Sequence, residues 1–122
     1  MKVLSREDIL DILYGGAILG TGGGGSLTKG LACIDLAISK GKTFTLASFD
    51  ELDADDIIVC PYSCGAISPL SEEERKKYEG LPVQEDTYHI KALKSMEEYL
   101  GKPAKAVIST EIGAGNTAKA LY

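Results

Sequence analysis

Two glycine-rich segments, Gly20-Thr21-Gly22-Gly23-Gly24-Gly25-Ser26 and Gly113-Ala114-Gly115-Asn116, stand where helices are expected to begin. Backbone N–H groups in such places can hold an anion or a developing oxyanion. Four consecutive glycines lose more backbone entropy on ordering than other residues, so order there needs a cause. A ligand is one cause and a second backbone packed very close is another; the sequence leaves both open, with Thr21, Gly22, Gly23, Gly24 and Gly25 as the candidate ligand contacts. Gly20, Gly22 and Gly25 have the spacing of Gly-x-Gly-x-x-Gly. A helical pattern precedes them instead of a strand, however, and no Lys-Ser/Thr pair follows, so the loop is neither a dinucleotide fingerprint nor a P-loop.

Other residues could act beside these amides. Glu111, at the end of an expected strand, is placed to be a general base or an acceptor for a ligand N–H, and equally to cap the helix that follows. Cys64, among the candidate ligand contacts, would be a nucleophile if a helix terminus stabilised its thiolate, and a buried, inert cysteine is the commoner case. Asn116 could orient ring N–H and C=O groups of a bound molecule, and also has the look of an N-cap. Cys60 lies within an apolar run and reads as core. His89, the only histidine, lies on the apolar face of its helix, where a packed, hydrogen-bonded ring is expected. One histidine and a Cys-x-x-x-Cys spacing without a second pair do not make a closed zinc site. No cofactor is predicted, and an open metal site completed by residues beyond Tyr122 stays open.

The composition narrows the partners. A net charge of −5, with Arg75-Lys76-Lys77 as the only basic cluster, argues against nucleic acid. No apolar stretch approaches membrane-spanning length and the N-terminus lacks a signal-peptide pattern, so no membrane association and a cytoplasmic location are expected. Three cysteines, an odd number, read as reduced thiols and not as a disulfide framework. At 122 residues, 44% hydrophobic and 25% charged, the chain is expected to form one domain over 1–122.

These residues must be positioned by helices and strands that the pattern outlines. Ser5 and Asp8 form a capping-box pair ahead of Ile9, Leu10, Ile12, Leu13, Ala17 and Ile18 at helical spacing. Gly15 and Gly16 weaken that helix by about 1 kcal/mol each relative to alanine, which predicts a close crossing or a bend there. A second helix carries Leu27, Leu31, Ile34 and Ile38 beside a row of small residues, Gly30, Cys33 and Ala37, and ends at Lys40-Gly41-Lys42. Thr43 to Ala47 alternates as an edge strand, with Phe44 and Leu46 on one side. Ile57-Ile58-Val59-Cys60 and Ala106-Val107-Ile108 read as strands covered on both faces, parallel because helical crossovers separate them. Ser71 to Glu79 is a polar segment that reads as a short solvated helix or a mobile excursion. A later helix presents His89, Ala92, Leu93, Met96, Tyr99 and Leu100 on one face until Gly101-Lys102-Pro103 stops it.

The predicted architecture is α/β, with helices on both faces of a small, mostly parallel sheet in three layers. Ligands in such folds bind beyond the carboxyl ends of the strands. The loop Cys60-Pro61-Tyr62-Ser63-Cys64-Gly65-Ala66 and the loop Ser109 to Asn116 would then meet at one rim, with the first glycine loop completing it. From Asn116 to Tyr122 there is barely two turns of helix, so the chain is expected to be a fragment or half of a split protein.

The segments Ala17-Ile18-Leu19-Gly20-Thr21-Gly22-Gly23-Gly24-Gly25, Gly65-Ala66, Met96-Glu97-Glu98-Tyr99-Leu100-Gly101 and Glu111-Ile112-Gly113-Ala114-Gly115-Asn116 occur in an order that resembles the N-terminal domain of S-methyl thiohydantoin desulfurase-like proteins. The resemblance spans nearly the whole chain and stops at the second glycine motif. It implies a three-layer α/β domain continuing into further α/β elements and a β-rich C-terminal domain. It also implies hydrolytic chemistry on small five-membered cyclic ureides, such as replacement of sulfur at a thiohydantoin carbon. The chain departs from the family pattern at Ser26-Leu27-Thr28-Lys29, where a proline or acidic pair commonly follows the glycines, and at Ala114, where a third glycine is usual.

Three functions follow as expectations. The first is the N-terminal part of a hydrolase-like protein acting on a cyclic amide, with the glycine amides holding an anionic group and Glu111 and Asn116 orienting the ring. The second is a non-catalytic binding or assembly module that pairs with itself or with a separate chain to complete its fold. A dinucleotide-binding oxidoreductase is third.

Overall fold

Ser5 starts the first helix as its spacing predicts. In the computed structural model, which describes residues 1–65, 68–82 and 88–122, its hydroxyl accepts from the Asp8 amide at 3.1 Å while Asp8 Oδ2 accepts from the Ser5 amide at 2.8 Å. Helix α1 then runs over Arg6–Leu19. Hydrogen bonds from Lys2 and from the Ser5 hydroxyl and amide hold the Asp8 carboxyl well below the usual carboxylate range. Ser26 caps α2, Leu27–Ser39, and Gly41 leaves it in the left-handed conformation at φ +73°. Ser71 and Glu74 form another capping box on α3, Glu72–Lys77, a short helix that is solvated throughout. Helix α4 spans Tyr88–Leu100 and ends at Gly101, also left-handed at φ +65°. Helix α5 spans Ala114–Leu121.

Four short strands accompany the helices. Strand β1, Lys2–Val3, pairs antiparallel with β2, Thr45–Leu46, in the register Lys2 to Leu46. Strand β3, Ile58–Val59, pairs parallel with β4, Ala106–Val107, in the register Ile58 to Ala106. The predicted parallel relation is therefore present. The single, mostly parallel sheet is not: among the described residues there are two separate two-stranded sheets, one of each kind.

The core lies where α1, α2 and α5 meet, around Ile9, Leu13, Ile34, Ala37, Ala114 and Ala118, with Leu4 and Phe44 closing one end. Small residues bring these helices close. A Cβ added at Gly30 would lie 2.8 Å from the Ala114 carbonyl oxygen, and one at Gly16 3.4 Å from the Ala114 nitrogen, so the crossing expected at Gly15-Gly16 is made by Gly16 against the start of α5. Because these helices use their apolar faces on one another, β3 and β4 are less covered than their sequence suggests. Ile58 and Val107 are more than 40% exposed, where burial on both faces was expected. Likewise only the first turns of α4 pack: His89 is buried, while Met96, Tyr99 and Leu100 on the predicted apolar face are exposed. Leu46 is exposed although Phe44, two residues earlier, is buried.

The two glycine segments supply each other's reason for order. A Cβ at Gly24 would stand 2.5 Å from Gly113 Cα, and one at Gly115 would stand 2.8 Å from Gly25 Cα. A Cβ at Gly113 would fall inside the surface of Gly24 itself. Such contacts permit no side chain on either strand of backbone.

Gly113 has an extended backbone that any residue can adopt, so a substitution there tests the close approach alone. Gly113→Ala should lower unfolding stability by about 3 kcal/mol in urea denaturation, the upper range for overpacking. Gly15→Ala, in a helix interior with nothing within 4 Å of the new methyl, should instead raise it by about 0.5–1 kcal/mol.

Candidate functional site

Parallel pairing of β3 and β4 sends both following loops out at one end of the strands. Three contacts draw them together there with the first glycine loop. Cys60 Sγ lies 2.9 Å from Thr110 Oγ1, the Asn116 amide nitrogen donates to the Gly24 carbonyl at 2.8 Å, and the Asn116 side chain engages Ser63. The rim expected from the sequence is thus assembled from all three loops. Ala66, at the far end of the first of them, lies outside the described residues.

Asn116 is the joint. Only 3% exposed, its Oδ1 accepts from the Ser63 amide at 3.1 Å and its Nδ2 donates to the Ser63 carbonyl at 3.1 Å, so a side-chain amide pairs with a peptide group as a second strand would. It is not the N-cap. Gly113 takes that place, because the cap must lie against Gly24, and Asn116 falls in the first turn of α5.

The glycine loop divides into two faces. Gly24 and Gly25 pack on the second glycine segment, whereas a Cβ on Gly22 would meet nothing within 4 Å. Thr21, Gly22, Gly24 and Gly25 all have positive φ, at 47°, 95°, 70° and 90°. The Gly23 amide donates to the Gly20 carbonyl at 2.8 Å, while the amides of Gly22, Gly24 and Gly25 make no backbone hydrogen bond among the described residues. Thr21 is exposed beside them, and Cys64 and Glu111 are exposed on the two post-strand loops. The Glu111 carbonyl accepts from the Gly113 amide at 2.9 Å, and its carboxylate has no ion pair among the described residues. Cys60, expected in the core, is half-buried and bridges to Thr110.

The family model for the S-Me-THD-like N-terminal domain matches residues 7–122. The chain belongs to that family. No curated protein and no solved structure matches it. Among the described residues of this S-Me-THD-like domain, no helix is long and apolar enough to cross a membrane.

Around Asn116 the S-Me-THD-like domain places a polar group that its sequence does not announce. Lys119, one helical turn beyond Asn116, donates to Ser63 Oγ, and its ammonium stands 5.2 Å from the centroid of the Tyr88 ring. Burial works to raise the Tyr88 phenol, but the Lys119 ammonium and the Ser63 hydroxyl outweigh it and leave the phenol below its ordinary range. The one sequence signal for this group is the spacing of Asn116 and Lys119 on a common helix face. Beside it the His89 ring is buried, edge-on to Tyr88 and Tyr122 at 5.8 and 5.2 Å between centroids. Burial, then the charges of Lys119 and Lys42, push its pKa below 6.5. The packed ring is as expected; the hydrogen bonds are not, since neither ring nitrogen has a partner among the described residues.

Two outcomes follow. Asn116→Ala leaves both the Ser63 N–H and C=O unpaired, and should cost about 2–4 kcal/mol in thermal unfolding, with faster hydrogen exchange at Ser63 than at Ile9. For His89 the folded ring resists protonation, so the unfolded chain binds more protons as pH falls through 6.5. Stability should therefore be fully present well above that value and fall progressively as pH is lowered through about 6.5. The dependence should be absent in His89→Phe.

Proposed function

We propose that this domain forms part of a hydrolase-like protein acting on small five-membered cyclic ureides or amides of the thiohydantoin or hydantoin type. The observation that carries the reading is the rim of three loops beyond the parallel strands, with amides at Gly22, Gly24 and Gly25 that make no backbone hydrogen bond among the described residues. Such amides suit a carbonyl that becomes an oxyanion during attack, because their dipoles are fixed before the reaction begins. Glu111, with its carboxylate exposed at the rim, is the acceptor for a ring N–H or the general base that takes a proton from water. Thr21, Gly23 and Cys64 border the bound ring. Asn116 and Ser63 use their mutual hydrogen bonds to hold the Cys64 loop against the glycine loop, which makes Asn116 a positioning residue. We place this activity in the cytoplasm, without a resident cofactor.

A second reading, a non-catalytic assembly module, is favoured by one feature. Leu46, Phe49, Ile58, Val107 and Ile108, all exposed, line an open apolar groove of about 660 Å³ between the two sheets. A second copy or a partner chain seated there would cover the faces of β3 and β4 and complete a three-layer α/β/α arrangement.

Turnover of a thiohydantoin and of a hydantoin, followed by ring absorbance in the full-length protein, tests the first reading. Glu111→Gln should reduce kcat at least about a hundredfold with the fold intact, the range for loss of a general base. Unchanged turnover removes Glu111 from the reaction. If the wild-type protein neither binds nor turns over either ring yet dimerises in sedimentation, the assembly reading replaces the first.

A further inference from the structure

We propose that the cavity between α4 and the end of α5 is a binding site for a small oxyanion, a carboxylate or phosphate-type group, held by Lys42, Lys94 and Lys119 with His89 as its hydrogen-bonding partner. The cavity has a volume of about 330 Å³. It lies beside the rim, sharing Pro61 with the first post-strand loop but none of the candidate ligand contacts of the rim, and the proposal stands whether or not the rim takes a cyclic amide.

Two independent observations point to a ligand here. The first is His89. It lines the cavity, is only 4% exposed, and has neither Nδ1 nor Nε2 hydrogen-bonded among the described residues. A buried polar ring in a folded protein ordinarily has a partner, since desolvation without one costs stability. Tyr88 and Tyr122 pack edge-on against the ring but offer its nitrogens no hydrogen bond.

The second is the charge of the walls. The chain carries a net −5, yet Lys42, Lys94 and Lys119 line this one cavity, and none is ion-paired with a carboxylate among the described residues. Lys40 adds a fourth cation at the edge, donating to the Tyr122 hydroxyl at 2.9 Å. The Lys42 ammonium stands 5.0 Å from the Tyr122 ring centroid and Lys119 5.2 Å from that of Tyr88, so aromatic faces steady both. Among the described residues Glu97 is the one acidic side chain in the wall, and its Oε1 is turned to the Ala104 amide, from which it accepts at 2.8 Å.

Lysines gathered without counter-charges repel one another, and an oxyanion relieves that repulsion while meeting their N–H donors. A metal ion would meet the same lysines as like charges. One nitrogen of a neutral His89 ring can donate to the anion, and protonation of the ring becomes easier once the anion offsets Lys42 and Lys119. Among the described residues the titratable groups facing His89 are Tyr88, Lys94 and Glu97 from α4, Lys119 from α5, Tyr122 just after it, and Lys40 and Lys42 from the loop after α2.

His89 reports on its own site because it is the only histidine. Its ring proton signals are followed by NMR in the wild-type chain at constant ionic strength. The probes are inorganic sulfate, whose charge does not change near neutral pH, and acetate as the carboxylate. A saturable shift with at least one of them, together with a rise in the His89 pKa of about half a unit or more, is the expected result. In Lys42→Gln/Lys119→Gln the apparent affinity should fall about tenfold or more. Lys94→Gln, at an exposed position that leaves the fold undisturbed, should weaken it to a smaller but measurable extent. No saturable response to either anion in the wild-type chain overturns the proposal, as does an equal response in Lys94→Gln and the double variant.

Discussion

The contact between two stretches of bare backbone sets the geometry of the rest of this domain. Gly24 and Gly25 lie against Gly113 and Gly115 at distances that no Cβ could share. That approach fixes where α5 begins. With its first turn held there, the Asn116 amide meets the Gly24 carbonyl and the Asn116 side chain reaches Ser63. Lys119, one turn further, meets the Ser63 hydroxyl and the wall of the cavity beside His89. A displacement of one ångström at the glycines would propagate along this rigid turn to every later contact. The entropy lost in ordering four glycines is offset by the packing of α5 on α1 and α2, which the same contact makes possible.

The division of labour within the glycine run follows from the same constraint. Gly24 and Gly25 are glycines because another backbone occupies the space of their side chains, and because their φ values are positive. Gly22 has open space around it, so only its φ of 95° calls for glycine. The tight-turn and ligand-contact explanations of this loop are therefore compatible. Packing accounts for the positions of Gly24 and Gly25, while the amides of Gly22, Gly24 and Gly25, which make no backbone hydrogen bond among the described residues, are donors that are already ordered.

Features decided within a few residues were legible in the sequence. The capping box at Ser5, the glycines that end helices at 41 and 101, and the apolar segments that hold β3 and β4 depend on neighbours along the chain, and the length of the crossover dictated parallel pairing. Family membership was legible too, because the glycine motifs occur in order across nearly the whole chain. What the sequence could not supply was the partner of each motif. That the glycine segments pack on each other, that Asn116 serves Ser63 and not its own helix, and that Lys119 joins them are facts about three separated segments meeting. The covered strands and the long apolar face of α4 were over-read for a related reason. Apolar pattern states which side of an element can be buried, but α1, α2 and α5 meet their own needs and leave those sides open.

Charge is distributed by the same separation of local from distant. Three of the acidic residues act at helix starts: Asp8, Glu51 and Glu74 each accept a hydrogen bond from the backbone amide of the cap residue three positions earlier, and each is held below its ordinary pKa by such bonds and by Lys2, the α-amino group or the cap hydroxyl. Among the described residues of this acidic chain, Lys40, Lys42, Lys94 and Lys119 have no ion pair with a carboxylate: Lys40 and Lys42 stand over the Tyr122 ring, and Lys42, Lys94 and Lys119 line the cavity beside His89. The local field there is opposite in sign to that of the molecule as a whole. Net charge therefore predicts what the surface repels, while the fate of each carboxylate decides where an anion can still be received.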